Sequence, residues 1–257
     1  RYLSGTVTLS GGTPHANAGW VDTYTVDGTA IEGNTFSLTA DATVAYSSTP
    51  DATHFAETAD NEYTIYDATG WDVFCDLLEE NNQGFFTGKT VVLDNDIAVT
   101  RMAGSTNHEF SGIFDGQTHT LTVAITGTVQ GTAPFCEIKG ATIRKLAVTG
   151  SVAGKRHSAG LVGFARGDNS VTNTIENCPV NTSVSITGDT NGYLGGIVGH
   201  GLTSALTIRG CAFTGSLTST SNYTGGLQGW SDGNILTLQN DLFAPTSVNA
   251  ANAGFHP

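Results

Sequence analysis

The sequence predicts an all-β protein, a parallel β-helix (β-solenoid) with a short N-terminal capping helix, preceded by a small β module. Three observations carry that expectation. A glycine-framed apolar tetrad recurs as Ala159-Gly160-Leu161-Val162-Gly163, Gly195-Gly196-Ile197-Val198-Gly199 and Gly225-Gly226-Leu227-Gln228-Gly229, and starts again at Ala253-Gly254-Phe255. The segments ahead of the tetrads keep one register, since Ile143, Ile175, Ile208 and Leu238 follow each other at 32, 33 and 30 residues, the spacing of a stacked repeat. Composition agrees, with 13% charged residues, a single Met and abundant Gly, Thr, Ser and Asn, the profile of a turn-rich β chain. In such a stack alternate Val, Ile, Leu and Phe point inward and paired glycines permit tight corners. Gly160, Gly163, Gly196, Gly199, Gly226 and Gly229 are therefore read as structural.

Taken in order, residues 1–52 form the small β module. Thr6-Val7-Thr8-Leu9 alternates, Tyr24-Thr25-Val26 runs into an Asp27-Gly28 turn, Thr35 to Thr39 and Ala42 to Tyr46 follow, and Pro50-Asp51 closes the unit. Residues 53–257 form the solenoid. Glu62 to Tyr66 alternates as a strand, and the period then changes. Thr69 with Asp72 reads as a capping-box start, after which Trp71, Phe74, Cys75 and Leu78 share one stripe of a helix near 69–82. A solenoid needs its open end covered, so Trp71 and Phe74 are assigned to the core. The runs from Lys89 to Ile97 and from Phe110 to Val123 supply the first turns, and Ala133 to Ile138 is a degenerate first copy of the tetrad.

Charge narrows the partners. Of the net −13, residues 1–88 contribute −12 and residues 89–257 contribute −1. Nucleic-acid affinity rests on clustered Lys and Arg, so no nucleic-acid partner is expected. Lys139, Arg144, Lys145, Lys155, Arg156 and Arg166 are read as the solvated outside of early turns. No run of eighteen apolar residues occurs, and no membrane insertion is expected. The chain opens on Arg1-Tyr2-Leu3-Ser4 without a secretion signal, as expected of an exported protein whose leader has been removed or of a piece of something longer, and it is read as a monomer or as part of a longer chain. Cys75, Cys136, Cys178 and Cys211 show no zinc spacing. Cys178 and Cys211 hold one repeat position and are expected to stack as buried thiols, with a disulfide between them as the lesser reading.

The run "FSGIFDGQTHTL", the later "TIRKLAVTGSV" and "TIENCPV", and the tetrads "GLVG" and "GIVG" resemble proteins carrying the GLUG motif, found on the surfaces of gut-dwelling and other bacteria. The resemblance covers roughly residues 61–257. It implies a parallel β-solenoid in an exported, adhesin-like protein at the cell surface. The motif is also associated with bacterial immunoglobulin A proteases.

Peptidase chemistry finds little support in the residues. A zinc peptidase of the H-E-x-x-H type needs a second imidazole one helical turn on, whereas His108-Glu109-Phe110-Ser111-Gly112 has glycine there. No G-x-S-x-G elbow occurs, and no His has an evident Ser or Cys partner. A polysaccharide lyase or hydrolase is the stronger rival, because it needs converging carboxylates. Asp94 with Asp96, and Asp115 with His119, are the candidates, although Asp-Asn-Asp and Asp-Gly are also ordinary turn chemistry. Asp189, Asp232 and the Asp94/Asp96 pair offer oxygens for calcium, but no calcium-loop signature is present. No catalytic residue, metal site or cofactor is assigned.

One feature remains for binding. His157, Tyr193 and Tyr223 precede the three tetrads by two residues, and Phe164, His200 and Trp230 follow them. Facing outward, His157, Tyr193, Tyr223 and Trp230 would suit a glycan or a host surface protein. Facing inward, they would be a stabilising ladder. The sequence thus reads as a non-catalytic display or binding module, with a carbohydrate-active enzyme as the alternative.

Overall fold

The computed structural model describes residues 15, 17–32, 42–81, 84–167, 170–203, 205–233 and 235–250, together with the strand backbones Gly5–Thr8, Thr35–Leu38 and Phe255–His256. It is a parallel β-solenoid of stacked turns. One face carries Thr90–Leu93, Ile113–Asp115, Thr142–Arg144, Thr172–Glu176, Ala205–Arg209 and Ile235–Gln239 in parallel register. The second runs from Ile97–Val99 through Thr120–Thr126, Ala147–Gly154 and Pro179–Ile186 to the split pairs that start at Ala212 and Leu242. The third holds Phe135–Lys139, Val162–Arg166, Val198–Leu202 and Gln228–Asp232, and a short sheet of Ser158–Ala159, Tyr193–Gly195, Tyr223–Gly225 and Phe255–His256 leads into it.

Register converts the repeat into columns. Phe114, Ile143, Ile175 and Ile208 stand on one another in the first face, and Leu121, Val148, Val180 and Phe213 in the second. Those eight side chains are buried. Each is worth roughly 1.5–3 kcal/mol of apolar transfer, and each turn adds its set to one continuous core. The tetrads behave differently from expectation. None of their glycines has a left-handed φ; that conformation falls to the corner column Lys145, Asn177, Gly210 and Asn240 between the first two faces, with φ from 49° to 62°. The tetrad glycines are required for close approach instead. A Cβ on Gly163 would lie 2.4 Å from the Gly131 carbonyl oxygen, and one on Gly196 would lie 2.6 Å from the Phe213 ring. The last recurrence is also out of step. Phe255 pairs with Thr224 and His256 with Gly225, so His256 takes the column of Ala159, Gly195 and Gly225; residues 253 and 254 lie outside the described residues.

The helix α1 (Ala68–Glu80) closes the N-terminal end. Its N-cap is Asp67, whose carboxylate accepts from the Gly70 amide at 2.9 Å, and not the expected Thr69. A carboxylate both caps and complements the positive helix end. Trp71 and Phe74 are fully buried and meet Phe114 and Phe135 edge to face at 5.8–6.5 Å in three of the four pairings and tilted at 5.9 Å in the fourth. The hairpin Phe55–Ala59/Glu62–Ile65 starts the first face, its second strand pairing in parallel with Thr90–Leu93.

Ahead of it, Trp20–Val26 is flanked antiparallel by Thr29–Ile31 and Val44–Pro50, with Asp27 and Gly28 in the left-handed turn. Gly5–Thr8 pairs with Thr35–Leu38; the expected strand ends Leu9 and Thr39 lie outside the described residues. The three-stranded sheet docks on α1 through Asp76, which accepts from Trp20 Nε1 at 2.9 Å and from Arg101 at 2.5 Å. All four cysteines are free and buried, so Cys178 and Cys211 are stacked thiols without a disulfide. At the opposite end of the solenoid Ile235, Leu238 and Leu242 are exposed.

Candidate functional site

The two aromatic columns interlock into one cluster outside the third face. Strict alternation would place Val162, Phe164 and Arg166 on the same side. Val162 and Ala165 instead both enter the core while Phe164 packs on the outer rings, so alternation breaks between Val162 and Ala165. Register continues that outward column as Glu137, Phe164, His200 and Trp230. The corner loops lay His157, Tyr193 and Tyr223 over it. His157 lies 4.8 Å from Phe164, 4.5 Å from Tyr193 and 5.1 Å from His200 between ring centroids. Tyr193 lies parallel to Trp230 at 5.3 Å, and Tyr223 meets both edge-on at 5.4 and 4.9 Å. The rings of the columns are covered to different depths at successive turns. His157 is 5% exposed and His200 7%, Tyr193 and Tyr223 are half-buried, and Trp230 is 38% exposed.

Burial without partners sets the electrostatics. His157 Nδ1 and both ring nitrogens of His200 lack a hydrogen-bond partner. Burial, with His200 and Arg156 adding to it and Asp189 opposing, holds the His157 imidazole down to about 3. Burial holds His200 down to about 4, Asp232 pulling up and Arg166 down. Both rings are neutral at pH 7. Glu137, 1% exposed, shows the converse. Burial pushes its carboxyl up to about 7, although Arg166 Nε sits 2.7 Å away and opposes that shift; Glu109 adds to it. Glu137 heads the ridge without having been singled out from the sequence. Carrying the alignment of Phe135 with Val162 two residues further reaches it.

Of the other sequence candidates, Asp232 and Arg166 lie along this ridge and the rest do not converge on it. Asp94 and Asp96 flank a corner, where Asp96 accepts from the Thr120 amide at 2.8 Å and contacts His119 at 3.2 Å. Asp115 is buried against Arg144 at 2.7 Å, with Lys145 at 3.8 Å. The basic cluster is thus partly paired to acids rather than simply solvated. His108 does have a Ser neighbour, contrary to expectation. Ser105 Oγ lies 3.0 Å and Glu79 3.2 Å from it, both at Nδ1. A serine relay needs the hydroxyl and the acid on opposite ring nitrogens, so this triangle staples a tight turn to α1. Asp189 accepts from the Asn191 amide in its own turn. Among the described residues no group of three or more His, Cys, Asp or Glu side chains is placed to hold a metal ion. Among the same residues no helix is long and apolar enough to cross a membrane.

Fold and site together define a helix-capped parallel β-solenoid with an outer aromatic ridge. Comparison with known proteins adds nothing narrower, because no family model, no curated protein and no solved structure matches the chain.

Proposed function

We propose that this chain is a non-catalytic module of an adhesin-like protein exposed on a bacterial surface, where a rigid solenoid displays a contact edge to host or dietary glycan or to a host surface protein. The observation that carries the reading is the aromatic ridge that surfaces at Tyr193, Tyr223 and Trp230. Partly exposed aromatic rings on a stiff scaffold give contact area at low entropic cost, and the resemblance to GLUG-motif proteins points the same way. Beads coated with the protein should adhere to mucin or to an epithelial glycan surface, and bare beads should not; equal retention of both sinks the reading.

One observation favours the carbohydrate-active alternative, the adjoining Glu109 and Glu137 with Arg166. A carboxyl near 7 is what a general acid requires. Against it, Glu137 is closed off from solvent and tied to Arg166, which leaves a glycosidic oxygen no approach. Reducing-sugar release from plant or mucin polysaccharide that vanishes in Glu137→Gln would reverse this preference.

A further inference from the structure

The geometry points to an uncharged sugar ring as the ligand of the ridge, stacked on Trp230 and held at its edges by Asp232 and the side-chain carboxamides of Asn191 and Asn222. This inference rests on the display reading above and assigns it a ligand class and a place.

The aromatic floor comes first. Tyr193 covers one face of the Trp230 indole, at 5.3 Å and 17° between planes, while the side chain keeps 38% of its surface in solvent. Tyr223 stands edge-on to both rings and leaves no gap between them. An aromatic cage for a quaternary ammonium needs such a gap, with ring faces turned toward an enclosed cation. Rings already in mutual contact offer a platform, which suits the C–H face of a pyranose.

The rim supplies the polar half. Asp232 follows Trp230 by two residues on the same outward side of strand Gln228–Asp232, in the column of Arg166 and Leu202. On the loop side the side chains of Asn191 and Asn222 are exposed, while the Asn222 backbone N–H ties the two loops together through the Thr190 carbonyl at 3.1 Å. Carboxylate and amide groups around an apolar ring surface match hydroxyls around a sugar ring.

Charge selects among sugars. Residues 210–250 contain Asp232 and Asp241 but no Lys or Arg. Arg209 is hydrogen-bonded to Glu176 at 2.6 Å and Arg166 is ion-paired with Glu137 at 2.7 Å. Lys155 and Arg156 stand beside His157, two turns from Trp230 by register, about 10 Å at the spacing of parallel strands. A sialylated, uronate or sulfated glycan would therefore meet a carboxylate and no partner cation. A neutral hexose or N-acetylhexosamine meets neither penalty.

The test is calorimetric titration of the purified protein with cellohexaose, N-acetylglucosamine hexamer and lacto-N-tetraose, beside sialyllactose and a heparin hexasaccharide. At least one neutral glycan should bind, about tenfold or more tighter than either anionic one. Trp230→Ala should weaken it about tenfold or more, and so should Tyr223→Ala, with each melting temperature checked so that lost binding is not lost fold. Failure of all neutral glycans to bind, tighter binding of an anionic one, or unchanged affinity in folded Trp230→Ala overturns the inference. The bead assay separates the two levels. Adhesion that survives Trp230→Ala keeps the display reading and discards the sugar site, whereas a wild-type protein that adheres to nothing discards the display reading.

Discussion

Acid should destabilise this protein through His157 and His200, and the size of the effect follows from their burial. Both rings are more than nine-tenths buried, with unpartnered nitrogens, and their folded values of about 3 and about 4 lie below the ordinary 6.5. A base whose pKa is depressed by folding binds more protons when unfolded, so stability rises with pH between the two values and is lost as pH falls below 6.5. Near pH 4.5 each ring costs about 2–3 kcal/mol, and the two together about 5 kcal/mol. Glu137 works in the opposite direction. Its raised value, about 7 against 4.5, adds stability as pH falls across that window. The histidines are therefore isolated by difference, using His157→Asn with His200→Phe. Asn tolerates the left-handed φ of 54° at position 157, and Phe already fills the column of His200 at Phe164. Urea unfolding followed by far-UV circular dichroism at pH 7 and pH 4.5 reads the outcome. The gap between wild type and double variant should shift by about 5 kcal/mol in favour of the variant at the lower pH. A gap constant to within about 1 kcal/mol would show that the rings are solvated or paired, and the account of His157 and His200 as buried, unpartnered rings would fail.

Four further expectations concern the scaffold. Trp71→Ala should cost about 3–5 kcal/mol by thermal or urea unfolding, because Trp71 is buried against Phe74, Phe114 and Phe135 and donates to the Arg101 carbonyl at 2.9 Å; a loss under about 1 kcal/mol would remove the cap from the core. Asp67→Ala should cost about 1 kcal/mol, and Thr69→Ala almost nothing, since Asp67 is the cap. Gly163→Ala should cost about 1–3 kcal/mol, because its methyl would press on the Gly131 backbone; a neutral outcome would mean that the corner has room. For Cys178, the hydrogen bond with Cys211 and burial push the thiol up. A thiol reagent at pH 8 should leave it unlabelled until the protein unfolds, and dithiothreitol should leave the melting temperature unchanged.

What could be read in the chain beforehand follows from how far each feature depends on local periodicity. Ile143, Ile175 and Ile208 were legible as a column because a stacked strand repeats its environment once per turn, and apolar identity then recurs with it. The cap was legible as a helix but misplaced by two residues. Asp67 and Thr69 are both competent caps by type, and the choice depends on a hairpin that carries His54 against Asp67 at 2.6 Å. The Ser105, His108 and Glu79 triangle joins positions 26 residues apart, and no spacing rule reaches across a helix and a loop. The ridge lies between these cases. Its residues were found by alignment, but their facing was not, because alternation fails between Val162 and Ala165, both in the core while Phe164 packs outward. Whether an outward side chain is buried then depends on the loops laid over it. His157 and Tyr193 cover Phe164 and His200, whereas Trp230, packed on Tyr193 and Tyr223, stays 38% exposed. A buried ladder and a partly exposed ring are thus one column at successive turns, and the same repeat that buries Phe164 and His200 leaves Trp230 in contact with solvent.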